Sequence, residues 1–406
     1  MYASGHDCSM SLGADVTTLF RTILFCALIG SEVAADACTG SLFQPPVQYS
    51  ASADEVVLLA DVNGDGAPEI LTSGNHTDQV DAFSLLMNRG DGTFTSEQRV
   101  GSRFGEKLEE IVDLDGDGLV DIVASNYWMN GISVYRGTSS QQFSAGMFHE
   151  TATHGGPTRV VDYDRDGVLD IASLSFGSRQ PVRVHLLRGL AGGTFDQKVT
   201  FETPLGVAAS PSTRLHQGAV EVLVEEYSGH LAILRLAAAG VSIEILSVGP
   251  GMDLSSMFAD INGDGIADIV DTTDGRSNGM SAHNELIFVT LAAPGGGFQE
   301  RTQLARKRKL TYPVELGAGD FNGDGRLDLI AGDVLAASLY YYLGNAAGSF
   351  NGGIEIDVGG PVNDIALGDV NRDGRLDLVV ANNNRSVAVS VNRGPCVPTR
   401  RRAVRH

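Results

Sequence analysis

Short runs of β-branched and aliphatic residues recur along the chain, and each stops at a glycine-rich or polar turn. EVVLLA (55–60), LVDIVAS (119–125), ISVYRG (132–137), RVHLLRG (183–189), LYYYLG (339–344) and RLDLVVAN (375–382) are examples. Such runs, broken by turns every ~8–12 residues, predict antiparallel strands. Helical periodicity is nowhere sustained.

A ten-residue acidic stretch punctuates these runs. It reads DVNGDGAPEI at 61–70, DLDGDGLVDI at 113–122, DYDRDGVLDI at 162–171, DINGDGIADI at 260–269, DFNGDGRLDL at 320–329 and DVNRDGRLDL at 369–378. The starts lie 52, 49, 98, 60 and 49 residues apart, so the 98 is a doubled interval hiding an eroded copy. Matching Gly218 to Gly167 puts Thr213, Leu215 and Gln217 where acids stand elsewhere and keeps only Glu221.

Each unit repeats one order: a run into the acidic loop, a run out of it, a third run, then a turn ending in an aromatic. The turns are GDGTF (90–94), AGGTF (191–195), GGGF (295–298) and AAGSF (346–350), and a fourth run closes the unit. Four strands at a period of about 40–50 residues mark a propeller blade. The fold expected is all-β: a seven-bladed β-propeller of four-stranded antiparallel blades. The last unit ends at VNRGPC (391–396) without its turn and aromatic, while CTGSLFQPPVQYS (38–50) supplies Phe43 and a strand. N- and C-terminal strands therefore share one blade and close the ring, which removes open sheet edges. This places Cys38 beside Cys396, and a disulfide between them is expected. The 60-residue interval implies an insertion, best placed at 271–285.

Within each loop, positions one, three, five and nine carry oxygen side chains and position six is glycine. The sets are Asp61, Asn63, Asp65 and Glu69; Asp113, Asp115, Asp117 and Asp121; Asp162, Asp164, Asp166 and Asp170. They continue as Asp260, Asn262, Asp264 and Asp268; Asp320, Asn322, Asp324 and Asp328; Asp369, Asn371, Asp373 and Asp377. Alternate residues of a curled loop aim at one centre, and glycine permits the positive-φ turn. Hard oxygens in this number suit Ca²⁺, with a position-seven carbonyl and water completing the shell. The bidentate Glu of an EF-hand is missing, Mg²⁺ demands a tighter octahedron, and Zn²⁺ prefers His or Cys. Up to six Ca²⁺ are expected, structural in role and held with a Kd of about 10⁻⁴–10⁻³ M. They would move the formal charge from −21 to −9.

That acidity argues against nucleic acid as a partner. Arg21, the apolar run TILFCALIG (22–30) and the small-residue pattern ending at Ala37 read as a secretory signal over 1–37, with Met1 or Met10 as start. The propeller is expected over 38–398 and a basic disordered tail over 399–406. No stretch is long and apolar enough for a membrane helix. A secreted, periplasmic or cell-surface location follows.

Three further features carry weaker signals. His149 and His154, in MFHETATHGGP (147–157), are a candidate metal or catalytic pair, but polar loop histidines are the commoner case. Trp128 and Tyr127 present rings for stacking on a sugar or for capping a blade. ARKRK (305–309) is a basic island fitted to an anionic partner or to a solvated face. No GxSxG, phosphate-cradling loop or CxxC is present.

The repeat, DxNGDGxxD followed by strand, NRGDGTF and strand, resembles the FG-GAP/VCBS family, best known from integrin α chains. The resemblance implies a seven-bladed propeller, Ca²⁺ in the blade hairpins, and work in adhesion or extracellular recognition. This chain departs from it in the eroded fourth unit and in having no accompanying domain. The expected function is a non-catalytic binding module for a protein or carbohydrate. The alternative is a carbohydrate-active lyase or hydrolase using the propeller face.

Overall fold

In the computed structural model, residues 41–395 are described apart from 53–54, 75–81, 127, 140, 152–154, 176–181, 204–211, 217–218, 227–229, 238–239, 248–252, 274–285, 305–312, 334–336 and 346–347. Contacts group Leu42–Gly394 into one body, and the rest of the chain into another of which only Ser41 and Pro395 are described. Cys38, Cys396, Tyr127, His154, the 305–309 island, most of the insertion and the signal segment lie outside the described residues.

Leu42–Gly394 forms seven four-stranded antiparallel sheets. Blade 1 runs Val56–Ala60, Glu69–Ser73, Ala82–Leu86 and Gln98–Gly101. Blade 2 runs Glu106–Val112, Asp121–Asn126, Gly131–Tyr135 and Met147–Glu150, with a small side ladder of Gly137–Ser139 on Gln142–Phe143. Blades 3 to 6 begin at Gly155–Val161, Ser212–His216, Asp253–Ala259 and Pro313–Gly319. Blade 7 takes Val362–Gly368, Asp377–Asn382 and Ser386–Ser390, and its outermost strand is the N-terminal Val47–Ser50.

Burial explains the sequence pattern. Second strands such as Glu69–Ser73, Asp121–Asn126 and Asp377–Asn382 are buried at every residue, because neighbouring blades cover both of their faces. They therefore read as continuous apolar runs rather than alternating ones. Outermost strands such as Gln98–Gly101 are mostly exposed. Each junction between blades has its own apolar cluster: Leu71, Phe83, Leu108 and Ile122 join blades 1 and 2, and Ile70, Leu86, Val379 and Val389 join blades 7 and 1. Phe43 pairs with Asn392 as Phe94 pairs with Asn88, and meets Phe321 edge-on at 5.8 Å. The aromatic that blade 7 lacks in sequence thus comes from the other end of the chain.

The first strands of all seven blades line a central cavity of about 640 Å³. Side chains there tie blade to blade. Val57 N–H of blade 1 donates to Asp364 of blade 7 at 2.8 Å, Leu108 N–H of blade 2 to Ser73 of blade 1 at 3.0 Å, and Thr158 N–H of blade 3 to Glu109 of blade 2 at 3.1 Å.

Burial pushes the Asp364 carboxyl up to about 6 from 3.8, against the pull of its Val57 and Ile365 N–H donors and of Lys107 and Arg159. Between those two values the folded protein holds a proton that the unfolded chain has released. The stabilising effect of this group is therefore full below about pH 4 and falls as pH rises through about 6. Asp364→Asn keeps an acceptor for Val57 and removes the titration. Its melting temperature should fall less between about pH 5 and pH 7 than that of the native protein, as read by thermal melts; equal slopes would reject the assignment.

Candidate metal centres

The acidic loops join the first and second strands of six blades and share one hydrogen-bond scheme. In the first, Asp61 accepts from Asp65 N–H at 3.0 Å and Gly66 N–H at 2.8 Å, Asn63 accepts from Asp65 N–H at 2.8 Å, and Asp65 accepts from Ala67 N–H at 2.8 Å. The same bonds recur at Asp113–Asp117, Asp162–Asp166, Asp260–Asp264, Asp320–Asp324 and Asp369–Asp373. The position-six glycines have φ between 81° (Gly325) and 87° (Gly118, Gly167). Position four is left-handed as well, and there Arg165 (64°) and Arg372 (61°) stand in place of glycine.

This curl brings positions one, three and five together. One oxygen each of Asp113, Asp115 and Asp117 lies within 4.8 Å of the others, and Asp162, Asp164 and Asp166 do the same. In three of the Asn-bearing loops the position-three amide leans on position five instead: Asn262 Nδ2 to Asp264 at 3.1 Å, Asn322 to Asp324 at 3.3 Å, Asn371 to Asp373 at 3.0 Å. Asn63 turns its amide to Glu69 at 3.1 Å.

Position nine is different in kind. Glu69, Asp121, Asp170, Asp268, Asp328 and Asp377 are at most 1% exposed. One oxygen of each accepts the position-two N–H, at 2.8–3.1 Å. The other accepts an N–H from the third strand or just beyond it: Gly137, Gly189, Ala292, Gly344 and Asn392 at 2.7–2.8 Å, and Asn88 at 3.4 Å. A Cβ on Gly189 or Gly344 would sit 2.0 Å from a carbonyl oxygen, so glycine lets this strand approach. Position nine is thus first a hydrogen-bonded clamp between two backbone segments, with lone pairs left over for an ion.

Burial raises the pKa of all six position-nine acids, and pushes Asp377 to about 6. Hydrogen bonding holds the exposed Asp65 and Asp166 low, chiefly through Ala67 N–H and Val168 N–H. A half-open basket of ionised oxygens over a buried carboxyl is chemically fitted to a hard cation. Guanidinium groups partly fill that need: Arg188 reaches Asp164 at 2.8 Å and Asp166 at 2.6 Å, Arg136 reaches Asp121 at 2.5 Å, and Arg372 of blade 7 reaches Asp65 of blade 1 at 2.6 Å.

Blade 4 shows what happens without the loop. Thr213 and Leu215 do not stand in a loop: they lie in a strand, paired with Val222 and Val220, and the hairpin tightens to His216 opposite Ala219. Two residues are missing relative to the other units, so the glycine-anchored alignment slips and Arg214 falls opposite Glu221. Glu221 remains fully buried, and two arginines take its charge: Arg214 Nε at 2.7 Å and Arg235 Nε at 2.6 Å. Arg214 also lies over Phe258, 4.3 Å from the ring centre.

The remaining candidates are scattered. His149 lies on the outermost strand of blade 2 and meets Phe195 edge-on at 5.4 Å; burial and Arg136 lower its pKa. Trp128 is 53% exposed in the turn after Asp121–Asn126, and Phe104 (46%) and Met129 (45%) are exposed nearby in sequence or turn. Sequence reasoning missed the two arginines on Glu221 and the charged lining of the central cavity. Alternation in EKLEE (106–110) was the available signal for the second.

A family model described as FG-GAP-like repeat matches residues 113–173 and 320–380. No curated protein is significantly similar in sequence. Among solved structures, BP39L lectin from Burkholderia pseudomallei is 12% identical with a TM-score of 0.60, covering 87% of this chain and 98% of that one. BBS1N, solved in complex with ARL6DN and soaked with lead, is 12% identical with a TM-score of 0.58, covering 87% of this chain and 97% of that one. At this identity the likeness concerns the fold. The chain is a seven-bladed β-propeller in which residues 113–173 and 320–380 match the FG-GAP-like repeat.

Proposed function

We propose that this is an exported propeller whose acidic loops bind Ca²⁺ and whose work is recognition without catalysis. The observation that carries the metal reading is the contrast between blades. Where three oxygens converge above a buried position-nine acid, a divalent ion would neutralise the group; where the basket is lost, two arginines do so. In each intact loop the side chains at positions one, three and five would hold the ion, with position nine beneath them. The ion supplies charge balance and cross-links the first two strands of the blade.

The recognition reading draws on the fold. A rigid ring with connections on its faces suits binding, and both similar structures named above are proteins of that kind: one is a lectin, the other was solved with a partner protein. Export rests on the Arg21–Ala37 segment. Among the described residues no helix is long and apolar enough to cross a membrane.

Calorimetric titration of chelator-treated protein with CaCl₂ should show several sites, up to six, and Asp164→Ala should remove one. EDTA should lower the melting temperature by more than about 10 °C, since a ligand bound only to the folded state stabilises it by mass action; an unchanged melt would reject bound Ca²⁺. Arg214→Gln should destabilise by roughly 3 kcal/mol, the scale for breaking a buried pair, and by the same amount with and without Ca²⁺. A calcium-dependent effect would show that blade 4 also binds the ion.

A further inference from the structure

In the six blades that keep the acidic loop, one residue on the third-strand side stands across from the position-nine acid. Ile122 faces Tyr135 and Ile171 faces Leu187, so the residues one step further, Arg136 and Arg188, take that place in blades 2 and 3. Counted in the same way from Ile70–Leu86, Ile269–Thr290, Leu329–Tyr342 and Leu378–Ser390, the place falls to Met87, Leu291, Leu343 and Val391 in blades 1, 5, 6 and 7. In blade 4 it is Arg235, paired with Glu221.

Position three of the loop divides along the same line. It is Asp115 and Asp164 in blades 2 and 3, and Asn63, Asn262, Asn322 and Asn371 in the others. A carboxylate at position three goes with an arginine across from position nine, and an amide goes with an apolar side chain, in all six loops. The paired residues also meet in space. Arg188 Nε reaches Asp164 at 2.8 Å, and its Nη2 reaches Asp166 at 2.6 Å. Arg136 Nη1 lies 3.9 Å from Asp115 while it bonds the buried Asp121. Among the described residues, the other guanidinium groups at the loops pair with position five: Arg372 with Asp65, Arg326 with Asp324 and Arg375 with Asp373.

Charge gives this pairing its meaning. Aspartate in place of asparagine adds one negative charge to the ligand set, and the affinity of such loops follows their ligand charge. A guanidinium touching that acid takes the charge back, because an incoming divalent ion feels the fixed cation as well as the carboxylates. Without an ion, the same guanidinium relieves repulsion among the crowded acids. We propose that Arg136 and Arg188 set the affinity of the loops at 113–121 and 162–170: each offsets the additional carboxylate, Asp115 or Asp164, so that these loops hold their ion less tightly than four acids alone would. The inference rests on the reading of the loops as Ca²⁺ sites.

The loop at 162–170 can be read by itself, because Tyr163 is the one tyrosine at position two of the six loops. It sensitises Tb³⁺, a luminescent stand-in for Ca²⁺, bound beside it. The part of the Tb³⁺ signal lost in Tyr163→Phe belongs to this loop, and displacement of that part by Ca²⁺ gives the loop's affinity. Arg188→Leu, which copies Leu291 and Leu343, should tighten binding there by roughly three- to tenfold, the scale of one charge acting on a multivalent ion in water. Loss of folding cannot tighten binding. Asp164→Asn should weaken binding by a similar factor, and the two substitutions together should return it close to the native value. In EDTA, Arg188→Leu should lower the melting temperature, and should lower it less in the Asp164→Asn background, since charges in contact are not additive. Unchanged or weaker binding in Arg188→Leu, or equal melting shifts in the two backgrounds, would overturn the proposal while leaving Ca²⁺ in the loops. Native protein that takes up neither Tb³⁺ nor Ca²⁺ would reject the loop reading itself, and this inference with it.

Discussion

The position-nine carboxylate is the constraint around which each blade is built. It sits where the second strand begins, buried between two neighbouring blades, and accepts one N–H from its own loop and another from the third-strand side. A neutral side chain of the same size would leave at least one of those donors unmet in the interior. A charged one needs a cation within reach. Arginines answer that buried charge at Asp121 and at Glu221.

Blade 4 makes the same point by a different route. Its loop is two residues shorter and carries no basket of acids, yet the buried acid is retained as Glu221. The guanidinium groups that meet it are supplied by two strands of the same blade, and one of them is also stacked on aromatic surface of blade 5. In blade 4 the fixed guanidinium groups do what the proposed Ca²⁺ would do in the other six blades.

Much of this was legible in the sequence, because the signal repeats. Blade count, strand order, the position-six glycines and the partner of the unfinished last blade can all be read from spacing and from the matched turn ending at Phe43. What could not be read involves two segments at once. The second hydrogen bond of position nine comes from the far side of the blade, and nothing in DVNGDG or NRGDG announces it. The arginines on Glu221 were hidden because a two-residue deletion shifted the register that a glycine alignment assumed. The cavity charges were hidden for a similar reason: each first strand contributes one or two polar residues, unexceptional until seven strands face one axis.

The strand Val47–Ser50 is among the first segments of the ring to leave the ribosome and pairs with Ser386–Ser390, among the last. The seam therefore spans nearly the whole ring in sequence, and its loop-closure entropy is the largest of any junction, although that cost grows only logarithmically. During synthesis the early strand must wait, unpaired and with a bare edge, until the final blade emerges. Blades in between can assemble as they appear. Closure of the ring therefore waits for the last blade, and Ile70 and Leu86 of blade 1 are the half of that seam a nascent chain exposes longest.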